Sequence, residues 1–248
     1  MLLSEPHPHS AHAELAHSVD ASVIDLFNVN PDNTYLISFP RTGSRWLRTL
    51  IELYFERPTL IETMIWVHSA DYMLLHSYDL NLTVQRRNVI YLYRDPVETI
   101  YWQMHSGHEH MANESRVIAW ATLYGQHLHK WLVSEDFTLR KTTIRYEELQ
   151  QDLRRAFSKV TAHFGIRLKP DRIASVAARF AGLRTATNTE EALARADTSA
   201  RALHGLYADT DAAEAQWEPE AFHRRYSDLI WWHVLDDRAA LQPYLQQH

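Results

Sequence analysis

The chain has 248 residues, 46% of them apolar and 11% aromatic, with only 6 glycines and 9 prolines, which is the composition of a globular α/β domain able to bury a sizeable core. Its formal net charge of -6 excludes a global positive field drawing it to nucleic acid or acidic membranes, so any anion site must be local. It has no cysteine, which excludes a disulfide framework and thiolate chemistry and fits a reducing compartment. No basic start followed by a long apolar segment opens the chain, and no apolar run reaches about 18 residues, so neither a signal peptide nor a membrane span is expected and the expected location is cytoplasmic.

Residues 1–20 carry four histidines and two prolines without apolar periodicity and read as a loosely ordered arm; 21–248 read as one domain. The run Tyr35 to Phe39 predicts a buried strand, closed by Pro40. In "SRWLRTLIELYF", 44–55, Trp46, Leu47, Leu50, Ile51, Leu53 and Tyr54 recur at helical spacing. "YMLLHS", 72–77, and "NVIYLYR", 88–94, predict two more buried strands, and Pro96 suits the first turn of the helix that follows. Val117, Trp120, Ala121, Tyr124, Leu128, Trp131 and Leu132 mark one face of a helix over 114–133.

"KTTIRY", 141–146, predicts a fourth strand, and Leu149, Leu153, Phe157, Val160 and Phe164 predict one helix ending at Gly165. The C-terminal third is expected to be mainly helical, with a polar passage over 184–215 reading as a loop. Strands alternating with helices imply a parallel sheet with helices on both faces and ligands beyond the carboxyl ends of its strands.

Two strands end on arginine-bearing loops. In "PRTGSRW" the strand gives way to a short loop in which Gly43 permits close backbone approach or a positive φ, and Ser44 and Arg45 open a helix whose free N–H groups favour an anion. Arg41 adds a permanent charge. The triphosphatase pattern G-x-x-x-x-G-K-[ST] is absent, and a loop this short suits a single phosphate. In "NVIYLYRDPVETIYW" a strand delivers Arg94 to its end, for bidentate contact with phosphate or for a salt bridge to a neighbouring carboxylate.

"FPRTGSRWL", "VIYLYRDPVETIYW" and "IRYEEL", in this order and each at a strand end, resemble the family of sulfotransferases that use 3′-phosphoadenosine 5′-phosphosulfate (PAPS). The resemblance spans Thr34 to Gly165. It implies a single P-loop-like α/β domain that transfers a sulfuryl group from PAPS to a hydroxyl or amine of a small-molecule or glycan acceptor. The products would include 3′-phosphoadenosine 5′-phosphate, and no metal is required.

By the same resemblance Arg41, Thr42, Gly43, Ser44, Arg45 and Trp46 grip the 5′-phosphosulfate, with Arg41 where the family usually has lysine. Arg94 holds the 3′-phosphate, and Tyr146 lies near the nucleotide. His76 in "YMLLHSYDL" is the expected general base, with Tyr78 as the occupant if the alignment slips and His68 as the alternative. Arg41 is the expected electrostatic catalyst.

Two departures stand out. The serine that the family often carries eight residues after the arginine is Trp102 here, and the basic-glycine loop over the nucleotide has only "SARALHGLY", with Arg201, His204 and Gly205, as its candidate. The cluster His105, His108, Glu109 and His110 lacks metal-ligand spacing and reads as adventitious or as part of the acceptor region. Most tryptophans read as core, with Trp66 and Trp102 the two placed to flank an acceptor or adenine. A metal-dependent kinase-like phosphotransferase and a non-catalytic nucleotide-binding protein remain the competing readings.

Overall fold

The computed structural model describes residues 21–60, 71–106, 113–134, 138–186, 218–236 and 238–245. The N-terminal arm, His68, Trp66, the His108–His110 cluster, Trp217 and the Arg201–Gly205 candidate loop lie outside them, as does the 187–215 part of the polar passage.

Four strands form one parallel sheet in the order β2-β1-β3-β4: β1 (Thr34–Ser38), β2 (Leu75–Ser77), β3 (Asn88–Tyr93) and β4 (Arg140–Arg145). The chain leaves β1 for β2 on one side and then returns to place β3 on the other. The crevice where ligands collect in such sheets therefore opens at the carboxyl ends of β1 and β3.

Strand periodicity divides the core. Tyr35, Ile37, Val89, Tyr91 and Tyr93 point to one face, where α3 (Pro96–Ser106), α4 (Glu114–Leu128) and α8 (Pro219–Leu235) cover them. Leu36, Ile90, Leu92 and Ile144 point to the other, against α2 (Ser44–Phe55), α6 (Leu153–His163) and α7 (Pro170–Ala186). The buried residues of α2 include Leu47, Leu50, Ile51, Leu53 and Tyr54, the stripe its sequence predicts. Helix α1 (Ala21–Val29) precedes the sheet, and a short α9 (Gln242–Leu245) follows α8. Gly125 lets α4 and α8 cross closely: a Cβ there would stand 2.7 Å from the Val234 carbonyl.

Two helices and one tryptophan differ from the sequence reading. The helix expected over 114–133 changes to π-helical winding at His129–Val133, where Trp131 is turned fully into the core. The helix expected to run through to Gly165 is two, α5 (Tyr146–Gln151) and α6, because Asp152 leaves helical geometry and its carboxylate caps α6 by accepting from Arg155 N at 2.9 Å. Trp232, read as core by spacing, is 63% exposed on α8, because the buried stripe of that helix is Phe222, Tyr226, Ile230 and Val234. No described helix is long and apolar enough to cross a membrane.

Two histidines are built into this core as neutral groups. His127 donates from Nε2 to the Tyr78 carbonyl at 2.9 Å, which leaves Nδ1 to accept from the Tyr91 hydroxyl at 2.9 Å; burial lowers its pKa to about 4. His163 bridges Thr34 and Thr142 at 3.3 and 2.9 Å and is lowered to about 4, again by burial and then by Arg140. Both are charged more readily unfolded than folded, so stability is complete above about pH 6.5 and is lost as pH falls from there toward about 4. Urea denaturation should show this loss, and His127→Gln should flatten the slope by up to about 1.4 kcal/mol per pH unit. An unchanged slope in that variant would contradict the assignment.

Candidate functional site

The loop from Phe39 to Gly43 turns the chain from β1 into α2. Arg41 has φ 68 and Gly43 φ 90, both in the left-handed region. The Thr42 side chain is fully buried, and its hydroxyl donates to the Phe39 carbonyl at 2.7 Å, so this residue shapes the loop. Leu47 N donates to the Gly43 carbonyl at 3.1 Å, and α2 has no side-chain cap, so the N–H groups at its start face outward with the positive end of its dipole. Ser44 is buried beneath the turn, while Arg45 is half-buried and Arg41 exposed. Desolvation by the surrounding protein lowers the Arg41 pKa from its ordinary value, the neighbouring Tyr78 phenol opposes this, and Arg45 adds to it.

Arg94 stands at the end of β3, on the adjacent strand. Its Nη1 donates to the Arg41 carbonyl at 3.4 Å and its Nη2 to Glu98 Oε2 at 3.0 Å, so the salt bridge foreseen as an alternative is present. Its guanidinium carbon lies 4.4 Å from the centre of the Tyr146 ring, and its Nε is buried without a hydrogen-bond partner. Tyr146, which opens α5 after β4, presses the same ring onto Gly43: a Cβ at 43 would fall on its Cδ2 and Cε2. Trp46 packs edge-on against Tyr146 at 5.4 Å and stacks on Phe180 of α7 at 5.9 Å, with its indole N–H unpartnered. Arg41, Gly43, Trp46, Arg94 and Tyr146 thus form one constellation over the ends of three strands.

The fixing of Arg94 goes beyond the motif. The Tyr124 hydroxyl accepts from Arg94 N at 3.1 Å and donates to Arg94 O at 2.8 Å, clamping its backbone from α4, and burial pushes this phenol well above its usual pKa. Asp95 caps α3 through Val97 N and Glu98 N at 2.8 and 3.0 Å, and Glu147 accepts from Asp95 N at 3.1 Å while pairing with Arg145 at 2.9 Å. Tyr124 was visible in the sequence only as an apolar-stripe residue; a partner thirty residues away leaves no local signal.

His76 lies on β2, paired with Leu36, at the other flank of the loop. It is 6% exposed, its Nε2 is 2.9 Å from the buried Ser38 Oγ, and Tyr78 sets its ring edge-on at 4.7 Å. Burial holds its pKa well below 6.5, and the cations Arg48 and Arg45 on α2 lower it further. Tyr78 itself is 40% exposed. The segment after His76 is anchored by Asp79, whose buried carboxylate accepts from Lys130 Nζ at 2.6 Å, Trp131 Nε1 at 3.1 Å and Val84 N at 2.8 Å.

Trp102 packs against Tyr101 and His105, and His105 is buried. Among the described residues there is no group of three or more His, Cys, Asp or Glu able to hold a metal ion.

The model of the sulfotransferase domain family matches residues 68–189, a span that includes β3, Arg94, β4 and Tyr146. No curated protein matches the chain. Among solved structures, the chain is similar to mouse sulfotransferase SULT7A1 complexed with PAP, at 16% identity and a TM-score of 0.47, over 94% of this chain and 98% of that one. It is also similar to the sulfotransferase domain from the curacin biosynthetic pathway, at 13% identity and a TM-score of 0.44, over 81% of this chain and 98% of the other.

Two variants test the construction of the site. Gly43→Ala should cost about 1–3 kcal/mol in urea denaturation, since the new methyl displaces the Tyr146 ring and residue 43 must keep a positive φ. Unchanged stability would contradict the contact. Asp79→Ala removes the buried carboxylate shared by Lys130, Trp131 and Val84 N and should cost about 3 kcal/mol in urea denaturation, whereas a loss under about 1 kcal/mol would contradict its role as the anchor.

Proposed function

We propose that this chain, whose residues 68–189 match the sulfotransferase domain family, is a sulfotransferase with PAPS as its sulfuryl donor and a hydroxyl or amine of a small molecule or glycan as its acceptor. We also take 21–248 as one functional domain. The observation that carries the donor reading is the joining of two cationic loops through one ring: Tyr146 lies against Gly43 of the first and beneath Arg94 of the second. The residues fit a bisphosphate nucleotide. Arg41 and the start of α2 offer charge and N–H groups to its 5′ end, and Arg94 has an unused buried Nε for its 3′ end. Trp46 offers an aromatic surface between them, with Phe180 behind it.

In this reading the acceptor oxygen attacks sulfur as the bond from sulfur to the 5′-phosphate oxygen breaks. The leaving group is 3′-phosphoadenosine 5′-phosphate, and the acceptor proton passes to His76. Arg41 and the helix N–H groups stabilise the charge that gathers on the departing phosphate oxygen. Arginine remains cationic throughout, so Arg41 acts electrostatically. His76 enters the reaction neutral, because burial and the Arg48 and Arg45 charges hold its pKa low. His68 is the alternative for the base.

Sulfate release from PAPS, with water as acceptor, gives a readout that needs no knowledge of the natural acceptor. Arg41→Ala should lower its rate about a hundredfold while the affinity for adenosine 3′,5′-bisphosphate changes only severalfold. A rate equal to wild type would remove Arg41 from catalysis. The pH profile tests the base: because the His76 pKa is depressed, the rate should hold as pH falls below 6.5 and decline only further into acid. His76→Ala should abolish turnover and spare nucleotide binding. An acid limb at or above pH 6.5, or turnover surviving in His76→Ala, would move the base elsewhere.

A further inference from the structure

His223 carries no motif, being one of 16 histidines and set on a helix read only as part of the C-terminal third. Packing of α8 against α3 brings its Nε2 to 3.2 Å from Glu98 Oε1. The other oxygen of the same carboxylate accepts from Arg94 Nη2 at 3.0 Å. One anion is thus lodged between a guanidinium at the end of β3 and an imidazole 129 residues further along the chain. Neither partner is saturated: Arg94 Nε and His223 Nε2 are both shielded from solvent, and neither has an aligned hydrogen-bond partner. The rings of Tyr101 and Phe222 flank the imidazole.

We propose that His223 is a nucleotide-binding residue which, with Arg94, forms the seat of the donor's 3′-phosphate, and that Glu98 fills this seat when the nucleotide is away. The proposal rests on the PAPS reading above. A carboxylate between two N–H donors marks a position suited to anionic oxygen, and a phosphate offers more charge and more acceptor oxygens to the same donors. Glu98 is i+4 to Arg94 on α3 and its side chain is 35% exposed, so it has solvent into which to swing. The arrangement also accounts for Trp102. With a tryptophan two turns after Arg94, packed on Tyr101 and His105, α3 offers no hydroxyl there, and α8 supplies a second donor instead.

Calorimetry with adenosine 3′,5′-bisphosphate and adenosine 5′-monophosphate, on the full chain, separates this role from a structural one. His223→Ala should weaken the bisphosphate about tenfold and leave the monophosphate unchanged, as expected for losing one hydrogen bond to a charged group. His223→Gln, which keeps an N–H donor, should recover part of the loss. Glu98→Gln should tighten the bisphosphate severalfold by removing a competing charge. Unchanged bisphosphate affinity in His223→Ala, or equal loss for both ligands, would overturn the role of His223. Weaker bisphosphate binding in Glu98→Gln would overturn the role of Glu98 as occupant. If Arg94→Ala loses the bisphosphate and His223→Ala does not, the donor reading stands and His223 alone is rejected. If folded wild-type protein binds no bisphosphate, the donor reading falls and this proposal with it.

Discussion

The contact on which the site depends is that of the Tyr146 ring with Gly43 on one side and the Arg94 guanidinium on the other. It ties the ends of β1, β3 and β4 together at the point where a parallel sheet leaves its crevice. Only a residue without a side chain meets both demands at position 43, a positive φ and a ring at the place of its Cβ. Arg94 gains from the same ring a fixed face, a cation–π interaction and a dry flank, which raise the worth of each charge-assisted hydrogen bond it makes.

Around this centre the protein holds charge where a ligand needs it and keeps it neutral where the core would suffer. The cationic groups Arg41, Arg45 and Arg94 lie at or near the surface of a chain with net charge -6, so their attraction for anions is local. Within the fold His76, His127 and His163 are all held below their usual pKa by burial. The buried Asp79 is compensated by Lys130 and two N–H groups, and the loop it anchors carries His76 and Tyr78. Two kinds of histidine result. His127 and His163 fix backbone and strands, whereas His76 lies beside the Arg41 loop with the charges of Arg48 and Arg45 near it, and its role as proton acceptor is the proposal made above.

What could be read from the sequence was what local pattern encodes. The apolar runs at Tyr35–Phe39 and 88–94, the stripe of α2 and the arginines at two strand ends follow from periodicity and position, and a parallel sheet with helices on both faces follows from their alternation, while the strand order came from the fold. Asp152 was harder, because a capping residue inside a continuous apolar stripe breaks the helix without breaking the pattern. Trp232 misled because α8 buries a narrower stripe than its composition suggests. The Tyr124 clamp on Arg94, the anchoring of Asp79 and the approach of His223 to Glu98 join residues 30, 51 and 125 positions apart, and only the fold brings them together. The motif therefore identified the arginine, while the groups that hold and answer it came from packing.

Whether the paired loops recognise a bisphosphate nucleotide is tested most directly by one calorimetric titration. Adenosine 3′,5′-bisphosphate without metal, beside ATP with Mg²⁺, should bind in the micromolar range or tighter, corresponding to about -8 kcal/mol, with ATP weaker by at least about tenfold. ATP with Mg²⁺ binding as tightly as the bisphosphate, or more tightly, would contradict the assignment of Arg94 to the 3′-phosphate and reopen the phosphotransferase reading.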